Sequence, residues 1–195
     1  GRLWLNLNAF YTDRDDAQLS QSHQQIPGDP NSFVFLTGNG QAHVYGLEAS
    51  GAWQLHPSWR IEASLGLLES NIDRWAARPE VEGRRLAHAP PYTASLALNY
   101  SSGSGWFARA DLSLVGPYYF DISHDQRSSA YQLVGLRMGH EWTHWSASVW
   151  ARNVFDENHA TRGFYFGNEP PAFANKLYTK FGDPRQLGVA VDYRW

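Results

Sequence analysis

Apolar and polar residues alternate with a period of two along most of this chain, and no other feature constrains its fold as tightly. Residues 92–100 set Tyr92, Ala94, Leu96, Leu98 and Tyr100 on one face and Thr93, Ser95, Ala97 and Asn99 on the other. Residues 59–67 place Arg60, Glu62 and Ser64 opposite an apolar face. Residues 45–55 set Tyr45, Leu47, Ala49, Trp53 and Leu55 against Glu48, Ser50 and Gln54. Residues 106–114 set Ala108, Ala110, Leu112 and Leu114 against Arg109, Asp111 and Ser113. Residues 186–195 do the same, and residues 3–11, 131–141 and 145–155 follow less cleanly. Helical periodicity is nearly absent. The reading is all-β and antiparallel, with eight strands.

The connections alternate in length. Residues 55–58, 101–105 and 141–144 are tight turns. Residues 15–42, 76–91, 121–130 and 156–185 are long polar segments rich in Gly, Pro, Asn and Asp, and read as loops. All short turns therefore fall at one end of the sheet and all long loops at the other, as in transmembrane barrels. The aromatic residues sharpen this. Trp53 and Trp59 flank the first tight turn, Tyr100 and Trp106 the second, Trp142 and Trp145 the third, and Trp195 closes the chain. Indole collects where hydrocarbon meets headgroups, so these seven residues read as a membrane-interface girdle. Tyr92 and Tyr100 are eight steps apart, about 27 Å along a strand, or about 21 Å of height once tilted. That is close to the apolar band of an outer-membrane barrel. Core packing in a soluble sandwich explains burial of these rings, but not their common parity at the short-turn end. The apolar face then meets lipid, and Glu48, Arg60, Glu62, Arg109, Asp111 and Arg137 face the lumen.

Composition narrows the function. A net charge of −3 argues against a nucleic-acid partner, and the chain has no Cys for a disulfide framework or thiolate metal site. No apolar run approaches the roughly 18 residues of a membrane helix. The 8 His show no metal-ligand spacing, since His140 and His144 flank a turn. Neither a nucleophile elbow nor a phosphate loop occurs, so no catalytic residue, metal site or cofactor is expected and the chain is not read as an enzyme.

Several stretches resemble a known family. These are residues 10–18, Phe-Tyr-Thr-Asp-Arg-Asp-Asp-Ala-Gln, and then Tyr45-Gly46-Leu47-Glu48 at a strand start. Arg152-Asn153-Val154-Phe155-Asp156 follows, and Gly182-Asp183-Pro184-Arg185 leads into the last strand. In order and spacing the chain resembles the C-terminal part of a TonB-dependent outer-membrane receptor. The resemblance implies that residues 1–195 are the C-terminal section of a barrel of about 22 strands. The family also has a plug domain and an energy-coupling box, and neither is among these residues. The chain opens Gly1-Arg2-Leu3-Trp4 without a basic-then-apolar leader, so either a leader has been removed or the chain is a piece of something longer. Residues 186–193 look like the strand read by the barrel-assembly machinery, through Gln186, Gly188, Val191, Tyr193 and the terminal Trp195.

The resemblance further implies TonB-coupled uptake of a scarce nutrient, most readily a ferric siderophore or other iron complex, in the outer membrane of a Gram-negative bacterium. The expected partners are that ligand, TonB through the plug, outer-membrane lipid and lipopolysaccharide, and the assembly machinery. The receptor is expected to be a monomer. Arg84, Arg85, Arg162 and Tyr165 in long loops, with Tyr118 and Tyr119 leading into another, pair cations with aromatic rings and suit an anionic, partly aromatic ligand. Rim packing and lipopolysaccharide contact would use the same residue types. The alternative function is a self-contained eight-stranded barrel with an adhesive or structural role. An outer-membrane hydrolase and a soluble lipocalin-like binder are the remaining possibilities.

Overall fold

The computed structural model describes residues 2–27 and 29–195. The described residues form ten strands: β1 (Arg2–Gln24), β2 (Phe33–His56), β3 (Trp59–Arg74), β4 (Tyr92–Ser101) and β5 (Trp106–Val115), then β6 (Tyr131–Glu141), β7 (Trp145–Arg152), β8 (Ala160–Phe166), β9 (Lys176–Phe181) and β10 (Gln186–Tyr193). Eight of them make one antiparallel sheet in the order β1-β2-β3-β4-β5-β6-β7-β10, and β8 and β9 form a separate hairpin. The sheet is open: β1 and β10 are its edges and do not pair with each other. Among the described residues no helix is long and apolar enough to cross a membrane, which leaves crossing by strands open.

The register confirms the two faces. One rung reads Gln54, Arg60, Asn99, Arg109, Arg137, Trp150 and Gly188 across seven neighbouring strands. The polar face is tied together by Arg60–Glu62 at 3.0 Å, Arg109–Glu62 at 3.2 Å, and Arg109 donating to Asn99 at 2.8 Å. The opposite face is apolar and bare. Leu5, Leu7, Leu187 and Val189 are all more than 60% exposed. An apolar surface of this extent marks an interaction face, here one for lipid. Tilted and edge-to-face ring pairs line the short-turn end: Trp59–Tyr100 at 4.7 Å, Trp106–His140 at 4.9 Å and Trp145–Tyr193 at 4.6 Å between centroids. Eight residues further along β2, Tyr45 stacks with Tyr11 and His43.

The turns are short because local bonds close them. Gln54 donates to the His56 carbonyl at 2.8 Å, and Trp142 N–H to the Trp145 carbonyl at 2.7 Å. Gly105 closes the second turn at φ +93°, where a Cβ would also meet the Glu141 carbonyl.

Several boundaries differ from the sequence reading. Residues 15–42 are not a loop: β1 and β2 continue as a long hairpin to Gln24 and Phe33, leaving a tip whose Gly28 lies outside the described residues. A bulge between Arg14 and Ala17 shifts the parity, so the alternation of Ala17, Leu19 and Gln21 no longer lines up with that of residues 3–11. β3 likewise runs on to Arg74. The segment 156–185 contains β8 and β9. β7 stops at Arg152 rather than residue 155, because Asn153 turns to φ +47°. β10 stops at Tyr193, two residues before the predicted end.

Candidate functional site

Beyond the membrane band the long-loop end is a packed platform. Its core joins Ala17, Leu19, Ala42, Ile72, Trp75, Val81 and Ile122, drawn from the β1–β2 hairpin, the top of β3 and two loops. The Trp75 ring lies against Gly38 and Gly40, where a Cβ would come within 3.2–3.3 Å of it. Arg84 ties loop 75–91 to loop 116–130. It donates to the carbonyls of Ile122 at 2.7 Å and His124 at 3.1 Å, pairs with Asp125, and lies over the Tyr119 ring at 5.1 Å. Loop 116–130 in turn grips the β8–β9 hairpin. Tyr118 Oη–H points at the carbonyls of Ala160 and Thr161 at 3.3 and 3.2 Å, and the Phe120 ring fills the space over Gly163.

Five of the six loop residues singled out from sequence therefore gather around one loop. Arg84, Tyr118 and Tyr119 are engaged in holding the platform. Tyr165 packs against His124 at 5.4 Å, and Arg162 is exposed close to His88. Burial holds His88 and His124 below the ordinary histidine range, with Arg162 adding to the effect at His88. Burial also pushes the Tyr118 phenol up. Arg85 lies apart. It forms a two-pronged pair with Glu69 at 2.9 and 2.7 Å, and Glu69 shares a rung with Tyr45 on the face away from the lumen.

Below the hairpin, the polar face of β5, β6, β7 and β10 forms an open cavity of about 810 Å³. Arg109, Arg137, Arg152 and Lys180 line it, with Asp111 and Asp183 as its carboxylates and Trp150 as an aromatic wall. The sequence placed Arg109 and Arg137 on the lumen face, but it gave no sign that Lys180, on β9, reaches the same space.

The root of the hairpin is a knot around Asn153, a residue 7% exposed. Its amide donates to the carbonyls of Glu157 at 3.0 Å and Asp183 at 3.1 Å and accepts from Glu157 N–H at 2.8 Å. Asp156, at φ +56°, accepts from Arg185 N–H at 2.8 Å. His159 lies over Gly182 and packs at a tilt against the Tyr131 ring, 4.5 Å between centroids. Sequence reasoning quoted Asn153 to Asp156 only as a resemblance. The signal for their role was two short polar residues in a row of four, the residue types that tolerate left-handed backbone.

Cations and aromatic rings side by side are chemistry suited to holding a ligand rather than to catalysis. Among the described residues no group of three His, Cys, Asp or Glu could hold a metal ion. The family model described as TonB dependent receptor-like, beta-barrel matches residues 1–154. The chain belongs to the TonB-dependent receptor β-barrel family. Members are outer-membrane receptors and transporters rather than enzymes, so this sheet is a section of an outer-membrane barrel. The Pesticin receptor of Yersinia pestis is 26% identical over 88% of this chain and 25% of its own length. The crystal structure of the ferric yersiniabactin uptake receptor FyuA from Yersinia pestis superposes with a TM-score of 0.78 at 23% identity, over 98% of this chain and 27% of that one. The copper transporter OprC gives 0.74 at 17% identity, over 98% and 29%. These likenesses establish the fold, and the chain spans about a quarter of the length of the curated relatives it matches.

In this TonB-dependent receptor section, Gln186, Gly188, Val191 and Tyr193 of the expected assembly signal lie on the edge strand β10, and Trp195 lies two residues beyond its end. Gln186 and Gly188 face the lumen opposite Arg152 and Trp150, while Val191 and Tyr193 face outward opposite Ala147 and Trp145. The girdle residues Trp53, Trp59, Trp106, Trp142, Trp145 and Trp195 are all exposed at the short-turn end, with Tyr100 half-buried beside Trp59.

Proposed function

We propose that this chain is the C-terminal section of an outer-membrane receptor that takes up a siderophore-type iron complex with energy delivered through TonB. The plug domain that would couple to TonB precedes this section. The likeness to a ferric yersiniabactin uptake receptor supports the ligand class. The observation that carries the reading is the platform: sequence-distant loops are bonded into one body above a polar, cation-lined wall, as capture from outside the cell requires. Arg162 and Tyr165 stand ready to meet ligand, with Arg84, Arg85, Tyr118 and Tyr119 fixing the loops behind them. The girdle meets lipid, the Arg85–Glu69 rim meets lipopolysaccharide, and the β10 edge is read by the barrel-assembly machinery through Gln186, Gly188, Val191, Tyr193 and Trp195. The test is radio-iron uptake by cells lacking the gene, offered a panel of ferric siderophores. Loss of uptake for one siderophore, restored by the intact gene, is the expected result. Undiminished uptake of every iron complex overturns the reading.

A further inference from the structure

One stretch of the lipid face carries almost no side-chain bulk. On β5, Ala108 and Ala110 point outward between larger neighbours: Tyr100 and Met138 share the rung of Ala108, and Leu98 and Leu136 share that of Ala110. The backbones of β4 and β6 stand about 9.5 Å apart, two strand spacings, so their side chains wall a floor of single methyl groups. The result is an apolar groove of about 770 Å³ on the outward face. Leu112, the next outward residue of β5, ends it toward the loops.

At the short-turn end the groove runs into the girdle. Trp106 follows Ala108 on the same face, and its rung partner is His140. The imidazole stands edge-on to the Trp106 ring at 4.9 Å and tilted against Trp142 at 4.4 Å. Its Nδ1 is shielded and has no hydrogen-bond partner among the described residues. A proton on Nδ1 would be stranded there, so the ring carries it on Nε2. Nε2 lies over Gly105, which has no side chain to cover it. A polar donor therefore sits at headgroup depth, at the mouth of a recess in the apolar face.

We propose that this groove holds one acyl chain of a phospholipid from the periplasmic leaflet. His140 Nε2–H donates to the phosphate, and the Trp106 and Trp142 rings flank the headgroup. The volume is that of a small-molecule site rather than of a flat lipid-facing wall. The floor and walls, β4 to β6, have both their neighbours within this sheet and face away from the lumen, so the bilayer is what covers them. The proposal depends on placement in the outer membrane and not on which ligand the receptor takes up.

The test uses the full-length receptor in vesicles containing a trace of phosphatidylethanolamine with a diazirine on one acyl chain. After irradiation, adducts are mapped by peptide mass spectrometry. Adducts on residues 98–112 and 134–140 should exceed those on residues 3–7, an equally apolar stretch of the lipid face, by about tenfold or more. Ala108→Leu with Ala110→Leu fills the groove and should erase the excess while the heat-modifiable folded band persists. Ala94→Leu, outward on β4 nearer the loops, should leave it intact. Unlabelled phosphatidylethanolamine should displace the probe about tenfold better than diacylglycerol with the same chains, which lacks the phosphate, and His140→Leu should remove that advantage. His140→Leu reads the site independently if the double variant does not fold. Even labelling across the wild-type lipid face overturns the proposal, as does an excess that survives in the filled variant. Equal displacement by the two lipids in wild type also overturns it, because His140 then holds no phosphate.

Discussion

Replacing Asn153 with Ala should release the β8–β9 hairpin from the barrel. Three hydrogen bonds converge on this side chain, two to the Glu157 backbone and one to the Asp183 carbonyl, so it holds both stems of the hairpin at once. Each such bond contributes about 0.5–1.5 kcal/mol net, giving roughly 3 kcal/mol for the set. Asn153 also sits at φ +47°, where Ala is disfavoured by about another 1 kcal/mol relative to Asn. A local loss of about 4 kcal/mol corresponds to roughly a thousandfold rise in the open population of the hairpin. Hydrogen exchange of the full-length receptor, followed by mass spectrometry, reads this directly. Amides of residues 157–185 should lose about three decades of protection. Those of β4 and β5 should not change. Asn153→Gly keeps the backbone conformation and loses only the bonds, so it should fall between Ala and wild type. Exchange within about threefold of wild type across 157–185 in Asn153→Ala would show that the knot does not hold the hairpin.

Further outcomes follow from other contacts. Gly188→Val should impair barrel formation, because a Cβ there would stand 2.2 Å from the Trp150 ring; overpacking of this kind costs about 1–3 kcal/mol or more, and Trp150→Ala in the same chain should restore the heat-modifiable folded band on a gel. Leu96→Arg, near the middle of the lipid face, should cost about 2–4 kcal/mol of folding free energy in bilayers, whereas Ser95→Arg on the lumen face should be tolerated; equal effects would contradict the assignment of the faces. His88 and His124 have folded pKa values below their ordinary 6.5, so the unfolded platform binds more protons in the interval beneath 6.5. Platform stability is therefore full above about pH 6.5 and falls as pH drops toward the folded values, which exchange of residues 116–130 at pH 7.5 and 5.5 would register.

The strand core was legible because a period of two is a local property. Leu47, Leu65, Leu96 and Leu112 announce the lipid face within their own segments, and Arg60, Glu62, Arg109 and Asp111 announce the other. The upper half of β1 and β2 was harder to read, since one bulge reverses parity and Gly38 and Gly40 leave half the pattern blank. Arg84 illustrates a different obstacle. Beside an aromatic-rich loop it reads as a ligand contact, yet its acceptors lie 38 to 41 residues away at Ile122, His124 and Asp125.

By itself, then, the sequence determined the secondary structure of the wall, the assignment of its faces to lipid and lumen, the ends carrying turns and loops, and the resemblance to a receptor family. The first two follow from residues within about ten positions of one another, and the last two from the order of short segments along the chain. Only the tertiary structure decided that loops 75–91, 116–130 and 153–185 form one platform, that Asn153 knots the hairpin roots, and that Arg137, Arg152 and Lys180 share a cavity. Those results depend on bonds between residues far apart in the chain. Such bonds arise once a rigid sheet has fixed where the loops begin, and no local pattern encodes them.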